Sequence, residues 1–573
     1  MIDWKSVEKE FPRRFVAKEV SLDRWEDIEP YFKDLADRPL GDVGELERWL
    51  LDDSELEACI QEERTRRYVA MTCQTDDSEL ECAYLRFIET ILPQCKLWWQ
   101  KLRERFVQCK PRVDLPRPRY TVLDRNTQTQ VEIFREQNVP LQTQDEKLRQ
   151  KYQKISGAQT AMFEGREQTL QQLTRYLEEQ ERSVRESAWV TAESRRLEDR
   201  DELAEIFDAM ISLRHQIAAN AGFANYRDYM FRAMQRFDYT PEDCERFHAA
   251  IEEIVVPAAR ELGERRRQQL GLEVLRPWDI NVDPTNQPPL RPFETAGQLC
   301  EGCQAIFMQL DPELGDQFQI MAELGFLDLE NRKGKAPGGY MSEFQEYRLP
   351  FIFMNAVGRH TDVQTLLHEA GHAFHAFACR HEPLTQYRSA PMEFSEVASM
   401  GMEMLSLPRL DVFYEEKDRR RACREHLESI IRLLPRVASI DAFQHWLYTH
   451  PEHTQEDRNR VWLDLHRRFG GIEDYTGFED FLEIRWQRVL HLYEVPFYFI
   501  EYGIAQVGAL QLWLKSLQNP EKTMHDYRCG LALGGSQPLP NLFASAGIRF
   551  DVDAETLRPL VDAVMAEIRD LEN

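Results

Sequence analysis

The sequence reads TDVQTLLHEAGHAFH from Thr361 to His375. Thr361 and Gln364 have the spacing of a capping box, a side-chain pattern that begins many helices. Apolar residues then recur at helical intervals along one face of the stretch: Val363, Leu366, Leu367 and Phe374. The stretch therefore predicts an amphipathic α-helix that carries three histidines.

Two of these histidines, His368 and His372, are four residues apart. Residues at this spacing lie one turn apart on the same helical face, so both imidazoles can point at one metal ion. Glu369 flanks that face, where it can reach a metal-activated water without binding the metal. The pattern is typical of a zinc site with the glutamate as general base. His375 is expected behind the ligands or in the core.

A catalytic zinc ion usually has three protein ligands and one open position, so a third ligand must come from elsewhere. Glu396 and Glu403 are seven residues apart in a segment with helical character, and they would share one face of a second helix. One of them could bind zinc while the other accepts a hydrogen bond from a ligand histidine. On spacing alone, Glu393 and Glu382 remain alternatives for the zinc ligand.

Composition excludes some classes of partner. The chain has 573 residues and a formal net charge of −27, which would repel a nucleic acid. The most apolar long segment, residues 497–514, contains Glu501 and is too polar to span a membrane. Eleven cysteines at irregular spacing indicate reduced thiols, with Cys300 and Cys303 sharing one helical face. We therefore expect a cytoplasmic protein without a membrane partner.

Most of the chain has helical periodicity. Residues 142–219 contain no proline and predict long packed helices. A proline-rich stretch at 110–118 should end the first helical block, and another at 283–292 should form a loop before a further helix. The clearest strand signal covers residues 347–354, shortly before the predicted metal site, and residues 555–571 predict an amphipathic helix. The sequence thus predicts a mostly α-helical fold with a small sheet.

Four motifs together resemble the thimet-oligopeptidase-like zinc peptidases, specifically their oligoendopeptidase F and Pz-peptidase branch. Usable signals extend over roughly residues 200–570, whereas the first 200 residues match only in helical character. The motifs are RKGKAPGGY at 332–340, PFIFMN at 350–355, TLLHEAGHAFH at 365–375 and FSEVASMGME at 394–403.

The resemblance implies a two-lobed, mostly α-helical fold of the gluzincin type, with a deep substrate channel and a small β-sheet near the active site. Residues 1–200 would form an N-terminal helical region. Residues 201–573 would form the catalytic region, with the channel between the lobes. The implied activity is hydrolysis of internal bonds in oligopeptides. A helical zinc exopeptidase and a non-catalytic helical scaffold are the alternatives.

The resemblance also implies roles for individual residues. His368, His372 and Glu396 would bind one Zn²⁺ ion per chain, and Glu369 would be the general base. Glu403 would be the carboxylate that accepts a hydrogen bond from a ligand histidine.

A second segment carries His491, Tyr498 and Tyr502. A helix starting near Pro496 would place both tyrosine hydroxyls on one side. On the residues alone, such an aromatic run is usually core packing. In the family that this chain resembles, a histidine and spaced tyrosines line the cleft opposite the zinc. The interval between His491 and Tyr498 looks longer here than in thimet oligopeptidases proper, and we favour Tyr502 as the main oxyanion donor.

Gly338 and Gly339 precede Tyr340 in the first of the four motifs. Glycines allow another chain to approach the backbone closely, although an ordinary turn explains them equally well from sequence alone. We interpret these three residues as a substrate-binding segment.

Overall fold

The computed structural model describes residue 4 and residues 7–572. As predicted, most of them are helical. The α-helices are α1 (Trp25–Asp37), α2 (Val43–Cys73), α3 (Ser78–Arg86), α4 (Leu92–Gln108), α5 (Arg117–Ile133), α6 (Asn138–Gly157), α7 (Leu170–Leu173), α8 (Arg182–Glu198), α9 (Arg200–Asn220), α10 (Tyr226–Ala233), α11 (Pro241–Ala250), α12 (Val256–Gln269), α13 (Ala296–Leu310), α14 (Pro312–Glu323), α15 (His360–Cys379), α16 (Met392–Ser406), α17 (Glu416–Thr449), α18 (Gln455–Phe469), α19 (Glu479–Glu483), α20 (Leu490–Glu494), α21 (Phe499–Ser516), α22 (Pro520–Leu531), α23 (Leu539–Ser545) and α24 (Ala554–Glu572).

Five strands form two small sheets among the described residues. They are β1 (Thr160–Phe163), β2 (Arg166–Thr169), β3 (Leu327–Glu330), β4 (Tyr340–Phe344) and β5 (Leu349–Ala356). The first two strands make an antiparallel hairpin. The other three form a sheet in the order β3-β5-β4, with β3 parallel and β4 antiparallel to the central strand.

The central strand β5 corresponds to the strand predicted over residues 347–354. Its run LPFIFM is buried throughout, because β3 and β4 flank it and α15 packs against it. A continuous apolar run is the pattern expected for a strand covered on both faces. The predicted small sheet therefore lies directly beside the helix that carries the His368 motif.

The described residues divide into two compact units, each built from separate stretches of chain. The first unit comprises the residues up to Glu132 together with Leu290–Cys423 and Ala505–Phe550. The second unit comprises Ile133–Pro289, Arg424–Ile504 and the residues from Asp551 onward. The three-stranded sheet, α15 and α16 belong to the first unit. The predicted domains 1–200 and 201–573 and the predicted channel stay predictions.

Residues 142–219 contain long helices, as predicted, but the β1–β2 hairpin, which the sequence analysis did not predict, separates α6 from the helices that follow. Glu164 and Gly165 form the two-residue loop of this hairpin, with φ values of 51° and 74°. Positive φ at both loop residues matches the twist of the flanking strands and breaks the helix on either side.

The predicted capping box at Thr361 is wrong. The helix α15 begins one residue earlier, at His360, and Arg359 is its N-cap residue. The carboxylate of Asp362 accepts backbone hydrogen bonds from Val357 at 2.8 Å and Arg359 at 2.9 Å. An acidic side chain in the first turn thus satisfies backbone N–H groups of residues just before the helix.

The proline-rich stretches behave differently from one another. The first follows the end of α4 at Gln108, but α5 begins within it, with Pro118 in the first turn, where proline is tolerated. The second forms the predicted loop before α13, the helix that carries Cys300 and Cys303. The predicted C-terminal helix corresponds to α24.

In the described part of the chain, every helix is too short or too polar to cross a lipid bilayer.

Candidate metal centre

Gly371 sets the distance between α15 and α16. A Cβ atom at this position would lie 2.5 Å from the carbonyl oxygen of Ala398 and 2.7 Å from the Cα of Ser399. Both distances are well below van der Waals contact, so only glycine allows the two helices to approach this closely. The approach brings the face of α16 that carries Glu396 against the face of α15 that carries the two histidines.

The ligand atoms of His368, His372 and Glu396 all lie within 4.8 Å of one another. The Nε2 atoms of His368 and His372 are 3.5 Å and 3.8 Å from Oε2 of Glu396. Tetrahedral zinc with bonds of about 2.1 Å places neighbouring ligand atoms about 3.4 Å apart. The observed distances therefore suit a single zinc ion. The side chains of His368 and His372 are 25% and 17% exposed, so the site can be reached from solvent.

Hydrogen bonds hold two of these ligands in place. Nδ1 of His368 lies 2.6 Å from Oε1 of Glu403. A carboxylate accepts, so Nδ1–H donates, and Nε2 lies on the side of Glu396, where its lone pair can bind a metal ion once Nε2 has lost its proton. The hydroxyl of Ser399 donates to Oε2 of Glu396 at 2.9 Å. The structure thus brings together the side chains that the sequence suggested as metal ligands and the glutamate that the sequence suggested as their support.

The two alternative ligands lie elsewhere. The carboxylate of Glu382 accepts hydrogen bonds from Arg119, at 2.8 Å, and from the backbone N–H of Leu384, at 2.9 Å. Glu393 is buried in the first turn of α16, and the described group of ligand atoms around His368 contains Glu396 instead. His375 is buried outside that group, with its ring against Phe394.

The charges around the site favour a cation. Burial lowers the pKa of His372 to about 4. For His368, burial lowers the pKa, but the hydrogen bond to Glu403 and the charges of Glu403, Glu396 and Glu369 outweigh it and raise the pKa to about 9. Three carboxylates surround two imidazoles, which leaves a net negative charge that a divalent ion can neutralise.

Glu369 is 8% exposed and lies beside the two histidines. Burial raises the pKa of Glu369 to about 7, although the charge of His368 and a backbone hydrogen bond with Met341 oppose the shift. A carboxylate with a pKa near neutrality can both take up and release a proton at physiological pH.

The model of Peptidase family M3 matches residues 175–561 of this sequence. This chain belongs to peptidase family M3. Oligopeptidase PepF of Bacillus subtilis (strain 168) is 25% identical over 244 residues, which cover 41% of this chain and 36% of that protein. An oligoendopeptidase F homolog of Borreliella burgdorferi is 24% identical over 387 residues, covering 64% and 62%. The chain therefore aligns with less than two thirds of the length of these relatives.

Solved structures match this M3-family chain over nearly its whole length. The structure of Pz peptidase A with inhibitor 2 has a TM-score of 0.88 and 28% identity, covering 97% of this chain and 99% of that one. Oligoendopeptidase F from Enterococcus faecium is 14% identical with a TM-score of 0.63, covering 96% and 97%, and shares the fold.

The predicted substrate-binding segment of this M3-family chain lies at the start of β4. Gly338 has a φ of 95°, and a Cβ on Gly339 would lie 3.4 Å from Cγ2 of Thr365 on α15. The Tyr340 ring stacks on Phe353 at 4.8 Å, and its hydroxyl lies 2.6 Å from Oγ1 of Thr72. The Tyr340 ring therefore packs against neighbouring side chains, whereas the backbone of residues 338–340 runs beside α15.

His491, Tyr498 and Tyr502 lie in the second unit and form one aromatic cluster. The ring of His491 is 5.7 Å from that of Tyr498 and 5.9 Å from that of Tyr502, and the two tyrosine rings are 5.2 Å apart. The predicted helix start near Pro496 is wrong, because α21 begins at Phe499 and Tyr498 precedes it. The left-handed φ of 69° at Phe497 separates α20 from α21.

Sequence reasoning missed two contributors to the site. Ser399, which donates to Glu396, lies three residues after it on the same helix, and this spacing was visible in the sequence. The backbone of Met341 contacts Glu369 through the pairing of β4, which no local pattern signals.

Proposed function

We propose that this chain is a zinc-dependent oligoendopeptidase that hydrolyses internal bonds of short peptides. The observation that carries the proposal is the convergence of His368, His372 and Glu396 within 4.8 Å, with Glu369 buried beside them. Two imidazoles and one carboxylate are the ligand set of catalytic zinc in many peptidases, where a fourth position stays open for water or substrate.

One zinc ion would be held by Nε2 of His368, Nε2 of His372 and Oε2 of Glu396. Bound there, it would supply a Lewis acid that polarises the scissile carbonyl and acidifies a water molecule. Glu403 would act as a positioning residue, because its hydrogen bond fixes the ring orientation and tautomer of His368.

Glu369 would accept the proton of the attacking water and deliver it to the leaving amine. Both steps need a carboxyl group whose pKa is near the working pH, and burial raises the pKa of Glu369 to about 7. The backbone hydrogen bond with Met341 would hold the carboxylate in place during the proton transfers.

The peptide would bind in an extended conformation along β4. This strand pairs with β5 on one side, and among the described strands none pairs with its other edge. An unpaired strand edge can recognise a peptide through main-chain hydrogen bonds, with little demand on side-chain identity. Gly338 and Gly339 would let the peptide backbone approach the strand, and Tyr340 would hold the segment in place through its packing.

Tyr502 is the proposed main donor to the oxyanion of the tetrahedral intermediate, with Tyr498 and His491 as neighbours in the same aromatic cluster. All three side chains are partly exposed, and phenolic hydroxyls are suitable donors to a developing negative charge.

The substrate class and the location rest on different observations. The relatives named oligopeptidase and oligoendopeptidase support short peptides as substrates. The structure holds all eleven cysteines as thiols, which supports the reducing cytoplasm as the location.

A peptide blocked at both termini, with a fluorophore and a quencher flanking its centre, tests the proposal. The full chain should cut it internally, lose this activity when zinc is removed by a chelator, and regain it on addition of Zn²⁺. A folded protein that contains the same cleavage sequence should remain uncut. Mass spectrometry of the products identifies the bond.

Two results would contradict the proposal. Release of single residues from an unblocked peptide, with no cut in the blocked one, would identify an exopeptidase. A chain that binds no zinc and cuts neither peptide would be a helical scaffold.

A further inference from the structure

A second group of metal-binding side chains lies in the second unit. Among the described residues, Cys244, Asp441 and His445 place one ligand atom each within 4.8 Å of one another, and all three residues are buried. Nothing in the proposed peptidase chemistry uses them.

Two helices present these side chains. Cys244 and His248 are four residues apart on α11, and Asp441 and His445 are four residues apart on α17. Each helix therefore carries two candidate ligands one turn apart on a single face. His248 is not one of the three residues whose ligand atoms lie within 4.8 Å of one another, and it contacts that group through Asp441. Oδ2 of Asp441 lies 2.8 Å from Nε2 of His248 and 3.3 Å from Nε2 of His445. The rings of the two histidines are 5.6 Å apart and perpendicular.

Two polar atoms of this cluster lack hydrogen-bond partners. They are Oδ1 of Asp441 and Nδ1 of His445, and these side chains are 0% and 7% exposed. Buried polar atoms are almost always satisfied, so two unsatisfied atoms at one place indicate a bound species that supplies the missing interactions. The carboxylate of Asp441 and the ring of His445 can both act as metal ligands.

The chemistry of the cluster favours a transition metal over a hard cation. A thiolate, a carboxylate and two neutral imidazoles carry a total charge of −2, which a divalent ion neutralises. Calcium and magnesium prefer oxygen ligands, whereas a mixture of sulfur, nitrogen and oxygen at four positions suits zinc.

Aromatic rings enclose the cluster. Phe231 and Phe497 lie 6.1 Å and 5.6 Å from the ring of His445, and Phe247 lies 6.2 Å from that of His248. A zinc ion with four protein ligands in an apolar enclosure has no open position for substrate, which is the arrangement of structural sites.

We propose that Cys244, His248, Asp441 and His445 form a second, structural zinc site that joins α11 to α17. The residue next to His445, Gln444, accepts a hydrogen bond from the backbone N–H of Phe497 at 2.5 Å. Phe497 immediately precedes Tyr498. The ion would therefore stabilise the face of α17 on which the aromatic segment of the second unit is anchored.

The zinc content of the purified full chain tests the proposal. It can be measured by inductively coupled plasma mass spectrometry. We expect about two zinc ions per chain, and about one in the double variant His368→Ala/His372→Ala, which keeps the buried cluster intact. One ion in the unchanged chain together with none in the double variant would overturn the proposal. This readout does not depend on peptidase activity, so it is separate from the test of the proposed function.

Cobalt gives a second readout that identifies the ligand. The metal-free double variant, loaded with Co²⁺, should show a thiolate-to-cobalt charge-transfer band, because the cluster contains Cys244 and the first site contains no cysteine. The band should vanish in Cys244→Ser added to that variant and persist in Cys303→Ser, a matched change at a buried cysteine of the first unit. Absence of the band in the folded double variant would overturn the proposal, whatever the stability of Cys244→Ser.

Discussion

Two helix pairs of this chain each carry histidines and carboxylates at metal-binding distance, yet their surroundings differ. On α15 and α16, the side chains of His368 and His372 are 25% and 17% exposed, and Glu369 lies beside them. On α11 and α17, the side chains of Asp441 and His445 are almost fully buried. Similar side chains would thus make a site for chemistry where one position stays open and a structural site where none does.

The two clusters also differ in their hydrogen bonds. In the first, Glu403 orients His368 and Ser399 orients Glu396, so the ligands are held even without a metal. In the second, Oδ1 of Asp441 and Nδ1 of His445 lack partners. We infer that the first cluster is preorganised for catalysis, whereas the second depends on its ion for stability.

The sharpest test of this comparison is Glu369→Gln. The amide keeps the shape of the side chain but cannot take up a proton, so kcat should fall by about 10²–10⁴-fold. Zinc content should stay unchanged, because Glu369 is not a ligand in the proposed site. Near-normal turnover would show that Glu369 is not the general base. A loss of zinc would indicate that Glu369 is a zinc ligand.

Tyr502→Phe tests whether the aromatic cluster takes part in catalysis. Loss of a single oxyanion donor should lower kcat by about 10²–10³-fold with little change in KM, since the hydroxyl would act only on the developing charge. Tyr498→Phe is the matched variant and should have the smaller effect. An unchanged kcat for Tyr502→Phe would show that this side chain only packs against its neighbours. A larger loss of kcat in Tyr498→Phe would indicate that Tyr498, and not Tyr502, is the main oxyanion donor.

The first site was largely readable from sequence because its geometry is local. His368, Glu369 and His372 lie within a single helical turn, and spacing alone predicts which of them face one ion. Spacing could not separate the roles of Glu396 and Glu403, because both lie on the same face of α16. The packed structure separates them, because Oε2 of Glu396 lies 3.5 Å from Nε2 of His368, whereas Oε1 of Glu403 lies 2.6 Å from Nδ1 of the same ring.

Features that depend on distant parts of the chain were missed. Cys244 and Asp441 are far apart in sequence, so no motif signalled their cluster. The two compact units are each assembled from separate stretches, which periodicity within one stretch cannot show. The hairpin at residues 160–169 was missed for another reason, since each strand has only four residues and neither alternates between apolar and polar residues.

Glu403→Gln tests the claim that hydrogen bonds preorganise the first cluster. The amide is a weaker acceptor for Nδ1–H of His368, so zinc affinity should fall by about 10–100-fold. Competition with a chelator of known affinity measures the change. Glu382→Gln is the matched control, because that carboxylate pairs with Arg119 away from the site, and its zinc affinity should be unchanged. Equal affinities in the two variants would mean that Glu403 does not support the ligand.

Gly371→Ala tests whether close packing of α15 on α16 builds the site, and it has the smallest expected effect. Alanine favours helix by up to about 1 kcal/mol, but its Cβ would meet the backbone of Ala398, and overpacking of this kind costs about 1–3 kcal/mol. The free energy of unfolding should therefore decrease, and zinc affinity with it. Gly157→Ala, in α6, is the control, because no heavy atom lies within 4 Å of the added Cβ, and it should leave stability unchanged or raise it. If both alanines stabilise the chain equally, the approach of the two helices does not depend on Gly371, and the placement of Glu396 must come from other contacts.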